Sequence, residues 1–290
     1  MIFVNYRQLV EDTRRWSSEL PSDIIAVAGV PRSGILPASI FALHRNIQLI
    51  TIDQLSAGKC PWEHPHRRIP ARSSGRILVL EDSVNTGETM LRVRESLQYV
   101  PGLIFGSLYY SEPLADCLDV AFRAVPHPRS YEWNLFHGVH MRTACLDMDG
   151  VICADWLERE EDDGPEQIQY LEHLENARPR HLPTFPVHAI VTSRLEKFRP
   201  QTVVWLQQHG VAYQKLVMSP HRSANDRREA ADHATRKAEY YLSQPHSTLF
   251  VESSPHQACT IAQISNKPVI CSDTMELATQ LSSKSSTVHT

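Results

Sequence analysis

The chain has 290 residues, enough for about two domains at roughly 150 residues each. It is 42% hydrophobic, 21% charged and 8% aromatic, with a formal net charge of −4. That balance excludes a wholly disordered chain and a globally basic binder of nucleic acid or membrane surface. No run of about 18 apolar residues is present to cross a membrane. The opening stretch MIFVNYRQLVEDTRRW turns polar by Asn5 and carries no signal-peptide core. The six cysteines are scattered without a C-x-x-C pair, which fits a reducing, cytoplasmic setting. The 15 histidines lie mostly in proline-rich segments without metal-ligand spacing.

Along the chain, helical patterns alternate with short apolar runs, the signature of an α/β protein. The apolar runs are 24–30, 76–82, 103–110, 143–149, 187–193 and 247–253. ILVL, AIVT and LFV within them are nearly continuous, as buried parallel strands are. Helical patterns fall at about 5–19, 34–45, 87–98, 166–177, 197–209, 223–243 and 255–265. The least regular stretch, 54–75, has the length of a functional lid or of a disordered segment. A fresh strand-plus-acid motif starts after residue 143, so a domain boundary is expected between 140 and 141, with a frayed tail at 281–290.

The first constellation is ILVLEDSVNTGET, residues 77–89. It reads as a buried strand, two acids (Glu81, Asp82), a polar loop and a helix. The loop Ser83, Val84, Asn85, Thr86, Gly87, followed by Thr89, offers hydroxyls and backbone N–H groups at a helix N-terminus, a cradle for a phosphate. The acids suit sugar hydroxyls beside it. This segment resembles the phosphoribosyl-pyrophosphate (PRPP) motif of type I phosphoribosyltransferases. The earlier Pro31-Arg32-Ser33-Gly34, after a strand and before a helix, resembles that family's pyrophosphate loop. In that role Arg32 would neutralise pyrophosphate and Gly34 would let the backbone approach it. The stretch 54–75 falls where the family keeps its catalytic lid, and Lys59, Arg67, Arg68 and Arg72 could close on the leaving pyrophosphate. In purine-specific members an Asp stands where this chain has Asn85, which cannot accept a proton. Tyr131 and Trp133 fall where a hood over the acceptor would sit, with packing between domains the favoured reading.

The second constellation is CLDMDGVIC, residues 145–153. Asp147 and Asp149 stand two apart at a strand's mouth, where one carboxylate can attack phosphorus while the other moves protons. This resembles the first motif of haloacid dehalogenase-like (HAD) phosphatases, and the remaining motifs follow in order. Thr192 and Ser193 match the second, Lys237 the phosphate-binding lysine, and Glu252 the metal acid. Lys197 and Lys215 are rivals for the lysine. The resemblance implies Mg²⁺ held by Asp147, the Asp149 carbonyl, Glu252 and waters. Ser253 stands where a second acid is common. The segment between motifs, WLEREEDDGPEQIQ and ARPRHLPTFP, is too short for a full cap. Its run Glu158 to Asp163 reads as a solvated acidic segment. Cys145 and Cys153 read as core packing.

The resemblances together imply two Rossmann-like domains, each a mainly parallel sheet flanked by helices: a phosphoribosyltransferase domain at 1–140 and a minimally capped HAD-like domain at 141–280. They imply a bifunctional enzyme that transfers 5-phosphoribose from PRPP to an acceptor and then removes the 5-phosphate. Asn85 and the small cap favour a glycan acceptor, such as a lipid-linked one in bacterial polysaccharide synthesis, over a nucleobase. Conversion of a base to a nucleoside is the first alternative, and a PRPP-sensing regulator the second. No nucleic-acid partner is expected, and a homodimer would follow the habit of type I transferases.

Overall fold

A computed structural model describes residues 1–58, 75–114, 116–156, 163–164 and 167–279. Contacts divide the chain into two compact units, Met1–Trp133 and Asn134–Thr290. Both are α/β with mainly parallel sheets. No helix among the described residues is long and apolar enough to cross a membrane.

The first unit runs β1 (Ile2–Val4), α1 (Tyr6–Glu19), β2 (Ile24–Gly29), α2 (Ile35–Arg45), β3 (Gln48–Ile50), α3 (Ile52–Ser56), β4 (Arg76–Val84), α4 (Glu88–Ser96), β5 (Leu103–Tyr110), β6 (Val120–Ala124) and β7 (Arg129–Tyr131). Five strands form a parallel sheet in the order β3-β2-β4-β5-β6. Every residue of β2 is buried, as expected for a strand covered on both faces. Alternation along β4 divides the core. Leu78 and Leu80 pack with Leu9, Trp16, Ala38 and Phe41 of α1 and α2. Ile77 and Val79 pack with Leu55 and Met90 of α3 and α4. The period of two in the strand thus places helices on both faces. The short pair β1 and β7 is parallel and separate from the main sheet. It ties residues 129–131 back to the N-terminus, so Trp133 stays with this unit and the division falls before the 140/141 position read from sequence.

The second unit runs β8 (Ala144–Leu146), α5 (Gln167–Asn176), β9 (Val187–Leu195), α6 (Arg199–Gln208), β10 (Tyr213–Ser219), α7 (Ala224–Ala230), α8 (His233–Ser243), β11 (Leu249–Glu252), α9 (Pro255–Ser265), β12 (Val269–Cys271) and β13 (Glu276–Leu277). The sheet order is β10-β9-β8-β11-β12-β13, parallel except for the last pair. One face packs Cys145, Val191 and Phe250 against Tyr241 of α8 and Ile261 of α9. A smaller cluster joins Tyr170 and Leu174 of α5 to Leu195 and Phe198.

All six apolar runs are strands. The helical pattern 223–243 is two helices, because Ala231 takes a left-handed conformation (φ 48°) and ends α7. Lys59, Arg67, Arg68 and Arg72, the acids 158–162 and the tail 281–290 lie outside the described residues. Asp163, read as part of a solvated run, instead accepts from Lys197 Nζ at 2.7 Å and from the Ala224 N–H at 3.0 Å. Its position beside the start of α7 makes it a fixed partner.

Candidate functional site

Each sheet has one point where its strand order reverses, and each reversal opens a cleft at the carboxyl ends of the strands. In open parallel sheets that is where ligands bind, because the two flanking loops diverge there.

In the first unit the reversal lies between β2 and β4. The loops that follow them enclose about 330 Å³, lined by Pro31, Arg32, Ser33 and residues 81–90. Gly87 has φ 84°, a left-handed turn that starts α4 and aims its free N–H groups at the cleft. Ser83, Asn85, Thr86 and Thr89 bring polar side chains to the same space. Gly34 is buried instead of lining the cleft. A Cβ there would stand 2.6 Å from the carbonyl oxygens of both Leu80 and Val30. The residue must therefore be glycine for packing of the loop on β4.

Glu81 and Asp82 are 8% and 2% exposed. Burial, reinforced by Asp82, pushes the Glu81 carboxyl up to about 9. Asp82 accepts hydrogen bonds from Ser83 Oγ at 3.1 Å and from Trp133 Nε1 at 2.7 Å. Trp133 also packs on Tyr131 (ring centroids 5.0 Å apart) and Tyr6 (5.9 Å). The indole thus holds an acid of its own unit. Asn85 Oδ1 accepts from Ser111 Oγ at 2.8 Å and pairs with His127 Nε2 at 3.0 Å. With its oxygen so engaged, the Asn85 amide presents N–H groups as its remaining bonding capacity.

In the second unit the reversal lies between β8 and β11. The cleft encloses about 310 Å³ and is lined by Asp147, Asp149, Thr192, Ser193, Lys237 and Glu252, together with Asp155, Trp156, Tyr170, Arg194, Arg227, Arg228 and His233. Five separated segments of sequence converge here. Lys237, only 3% exposed, donates to Asp147 Oδ2 at 2.8 Å, Glu252 Oε2 at 2.7 Å and Gln257 Oε1 at 3.2 Å. Its rival Lys197 is paired with Asp163, and Lys215 is exposed on the edge strand β10. Burial opposes the charge on Lys237, but Asp147 and Glu252 outweigh it and hold the ammonium above its usual value. Burial and the neighbouring Glu252 together push Asp147 well above the usual carboxylate range. Two buried carboxylates sharing one ammonium leave this corner short of positive charge.

Asp149 has a different partner. Burial would raise its carboxyl, but the Arg194 guanidinium outweighs that and holds it below the usual range. Cys153, expected only as packing, also touches this pair, with Arg194 Nη2 donating to its sulfur at 3.3 Å. Gly150, with φ 79°, lies against Ser253, whose hydroxyl would sit 2.3 Å from an added Cβ. Ser253 Oγ donates to the Asp149 carbonyl at 3.4 Å, so the serine occupies space that a larger acid could not enter unchanged.

Among the described residues no group of three or more His, Cys, Asp or Glu side chains is placed to hold a metal ion. The donors at hand are the Asp147 and Glu252 carboxylates and the Asp149 carbonyl. Such hard oxygens, with water completing the shell, suit Mg²⁺. The shortage of positive charge fits a cation there.

Sequence reasoning did not find Trp133 as a partner of Asp82, His127 and Ser111 as holders of Asn85, or Arg194. For Arg194 a signal existed: a charged residue at the end of the buried run AIVT needs a buried partner.

No protein-family profile matches the chain, and no curated protein matches it. Solved structures similar to part of the chain include a purine phosphoribosyltransferase from Pyrococcus horikoshii, at 17% identity and TM-score 0.37, covering 48% of this chain and 97% of that one. Another is the xanthine-guanine-hypoxanthine phosphoribosyltransferase of Helicobacter pylori, at 17% identity and TM-score 0.34, covering 46% and 92%.

Proposed function

We propose that the chain transfers 5-phosphoribose from PRPP to a hydroxyl of a glycan acceptor and then hydrolyses the 5-phosphate, leaving a ribofuranosyl unit. The observation that carries this reading is the pairing of two clefts in one chain. One sets two buried acids beside a loop of hydroxyls and helix N–H groups. The other joins Asp147, Lys237 and Glu252 through one buried ammonium.

In the first cleft the phosphate of PRPP would sit on residues 83–89 and its pyrophosphate against Arg32 and Ser33, with Glu81 and Asp82 toward the ribose hydroxyls. The bond from the anomeric carbon to pyrophosphate breaks as the acceptor oxygen bonds to that carbon, and the hydroxyl proton leaves with the pyrophosphate. Charge develops on the sugar, so the cleft works by binding, orientation and electrostatic stabilisation. Displacement with inversion gives a β-ribofuranoside. Asn85 offers donors, which suits an acceptor rich in oxygen.

In the second cleft an Asp147 oxygen would bond to phosphorus as the bond from phosphorus to the ribose 5-oxygen breaks, with Asp149 giving that oxygen a proton and Lys237 steadying the Asp147 carboxylate. Mg²⁺, when bound by Asp147, the Asp149 carbonyl and Glu252, would supply charge neutralisation for the phosphoryl oxygens.

The test is product analysis with PRPP, Mg²⁺ and a panel of nucleobases and short glycans on lipid-like carriers, using wild type and Asp147→Asn. A glycan that gains phosphoribose with Asp147→Asn and plain ribose with wild type is the expected result. Nucleotide with the variant and nucleoside with wild type would replace it by a nucleobase reading. No turnover of PRPP with either protein would sink both.

A further inference from the structure

We propose that Arg194 is a positioning residue: it fixes the Asp149 carboxylate as the base that activates water in the second half of phosphate hydrolysis. The inference rests on the phosphatase reading of the second cleft.

Arg194 is 1% exposed, and a buried guanidinium persists only where its donors are matched. Its Nε donates to Asp149 Oδ2 at 2.9 Å and Oδ1 at 3.1 Å, and its Nη2 to Oδ1 at 2.5 Å. Nη2 also reaches Cys153 Sγ at 3.3 Å, and Nη1 reaches Thr202 Oγ1 at 3.3 Å. Both oxygens of Asp149 are therefore gripped by one planar group, which is itself anchored from α6. The Arg194 backbone N–H donates to Thr192 Oγ1 at 3.1 Å, so the strand end that presents Thr192 also sets Arg194. Asp149 nevertheless keeps 23% side-chain exposure and lines the cavity. One side of the carboxylate is clamped, and the other faces the space where a phosphate would lie.

Asp147 and Asp149 are thus held by different cations, Lys237 and Arg194. That division suits two roles in sequence. Once a phosphoryl group is on Asp147, a water oxygen attacks phosphorus and gives one proton to the Asp149 carboxylate. The bond from phosphorus to the Asp147 oxygen breaks, its electron pair returns to Asp147, and inorganic phosphate leaves. The reach from Asp149 to that water depends on where Arg194 holds the carboxyl.

The test uses p-nitrophenyl phosphate, whose phenolate leaves without a proton, so formation of the phosphoenzyme does not draw on Asp149. Arg194→Lys keeps a positive charge beside the buried acid but loses the two-pronged grip. The full chain is mixed with this substrate and Mg²⁺ in a stopped-flow instrument, with thermal melting as the folding control. Misplacing a reacting group by about 1 Å costs up to about 100-fold. The expected result is a first turnover within about twofold of wild type, an amplitude near one per active site, and a steady-state rate down about 10- to 100-fold. Thr202→Val, which loosens the guanidinium without touching the pair, should show the same split to a smaller degree. First-turnover and steady-state rates that fall together in both variants would mean a structural role only, and would overturn the proposal. Wild type that releases no more phosphate than Asp147→Asn would overturn the phosphatase reading, and this role with it.

Discussion

Glu81 shows how far a buried carboxyl can stand from its ordinary chemistry. The unfolded chain gives up this proton near the usual glutamate value, while the folded chain keeps it to about 9. Between those limits the native state binds the extra proton, so the stability tied to Glu81 is full at acid pH and is lost as pH rises toward 9. Glu81→Gln removes the titration. Its melting temperature, measured against wild type without ligand, should move in the variant's favour by several degrees between pH 5 and pH 9. A difference that stays flat across that range would show that Glu81 ionises freely. The neighbouring Asp82 illustrates the limit of local reading. Its position past an apolar strand was legible from ILVLED, but its bond from Trp133 joins residues that no local pattern connects. Arg194 and Asp149 are similarly remote in sequence. The acids of both clefts could be named from order and spacing, while the groups that orient them could not.

The elements divide in the same way. Strands covered on both faces, such as β2, β4 and β11, announce themselves as continuous apolar runs. Edge and short strands do not: β6 is half-buried along its whole length, and β10 carries Gln214 and Lys215 exposed. The pattern 223–243 carries no Gly or Pro to break it, yet it folds as α7 and α8. After the break, α8 presents Lys237 to Asp147 and Glu252. The joint is Ala231 at φ 48°, a conformation that costs a residue with a Cβ about 1 kcal/mol. Ala231→Gly should therefore stabilise the chain by about 0.5 kcal/mol, less than the full strain because glycine also loosens the unfolded chain. Denaturant unfolding of the two proteins measures this. A loss of stability would mean that α7 and α8 gain more from alanine than the turn costs.

At the scale of the molecule, two sheets of different strand order apply one rule, a cleft at the reversal of each. Among the described residues each cleft is lined by a single unit, so the proposed activities should separate. Asp82→Asn should abolish transfer from PRPP and leave hydrolysis of p-nitrophenyl phosphate within about twofold of wild type, and Asp147→Asn should do the reverse. Parallel assays on the three proteins decide it, and loss of both activities in either variant would contradict independence. The floor of the first cleft has a mechanical consequence of its own. Val30 N–H donates to the Leu80 carbonyl at 2.9 Å, and Gly34 leaves no room between its loop and that same carbonyl. The 30–34 loop is therefore fastened to the middle of β4, the same strand that runs on into the loop at 85–87, so the two loops share one support. A ligand that bridges them meets a fixed gauge, so binding there should quench little backbone motion and discriminate by the length of the span between its two anionic ends.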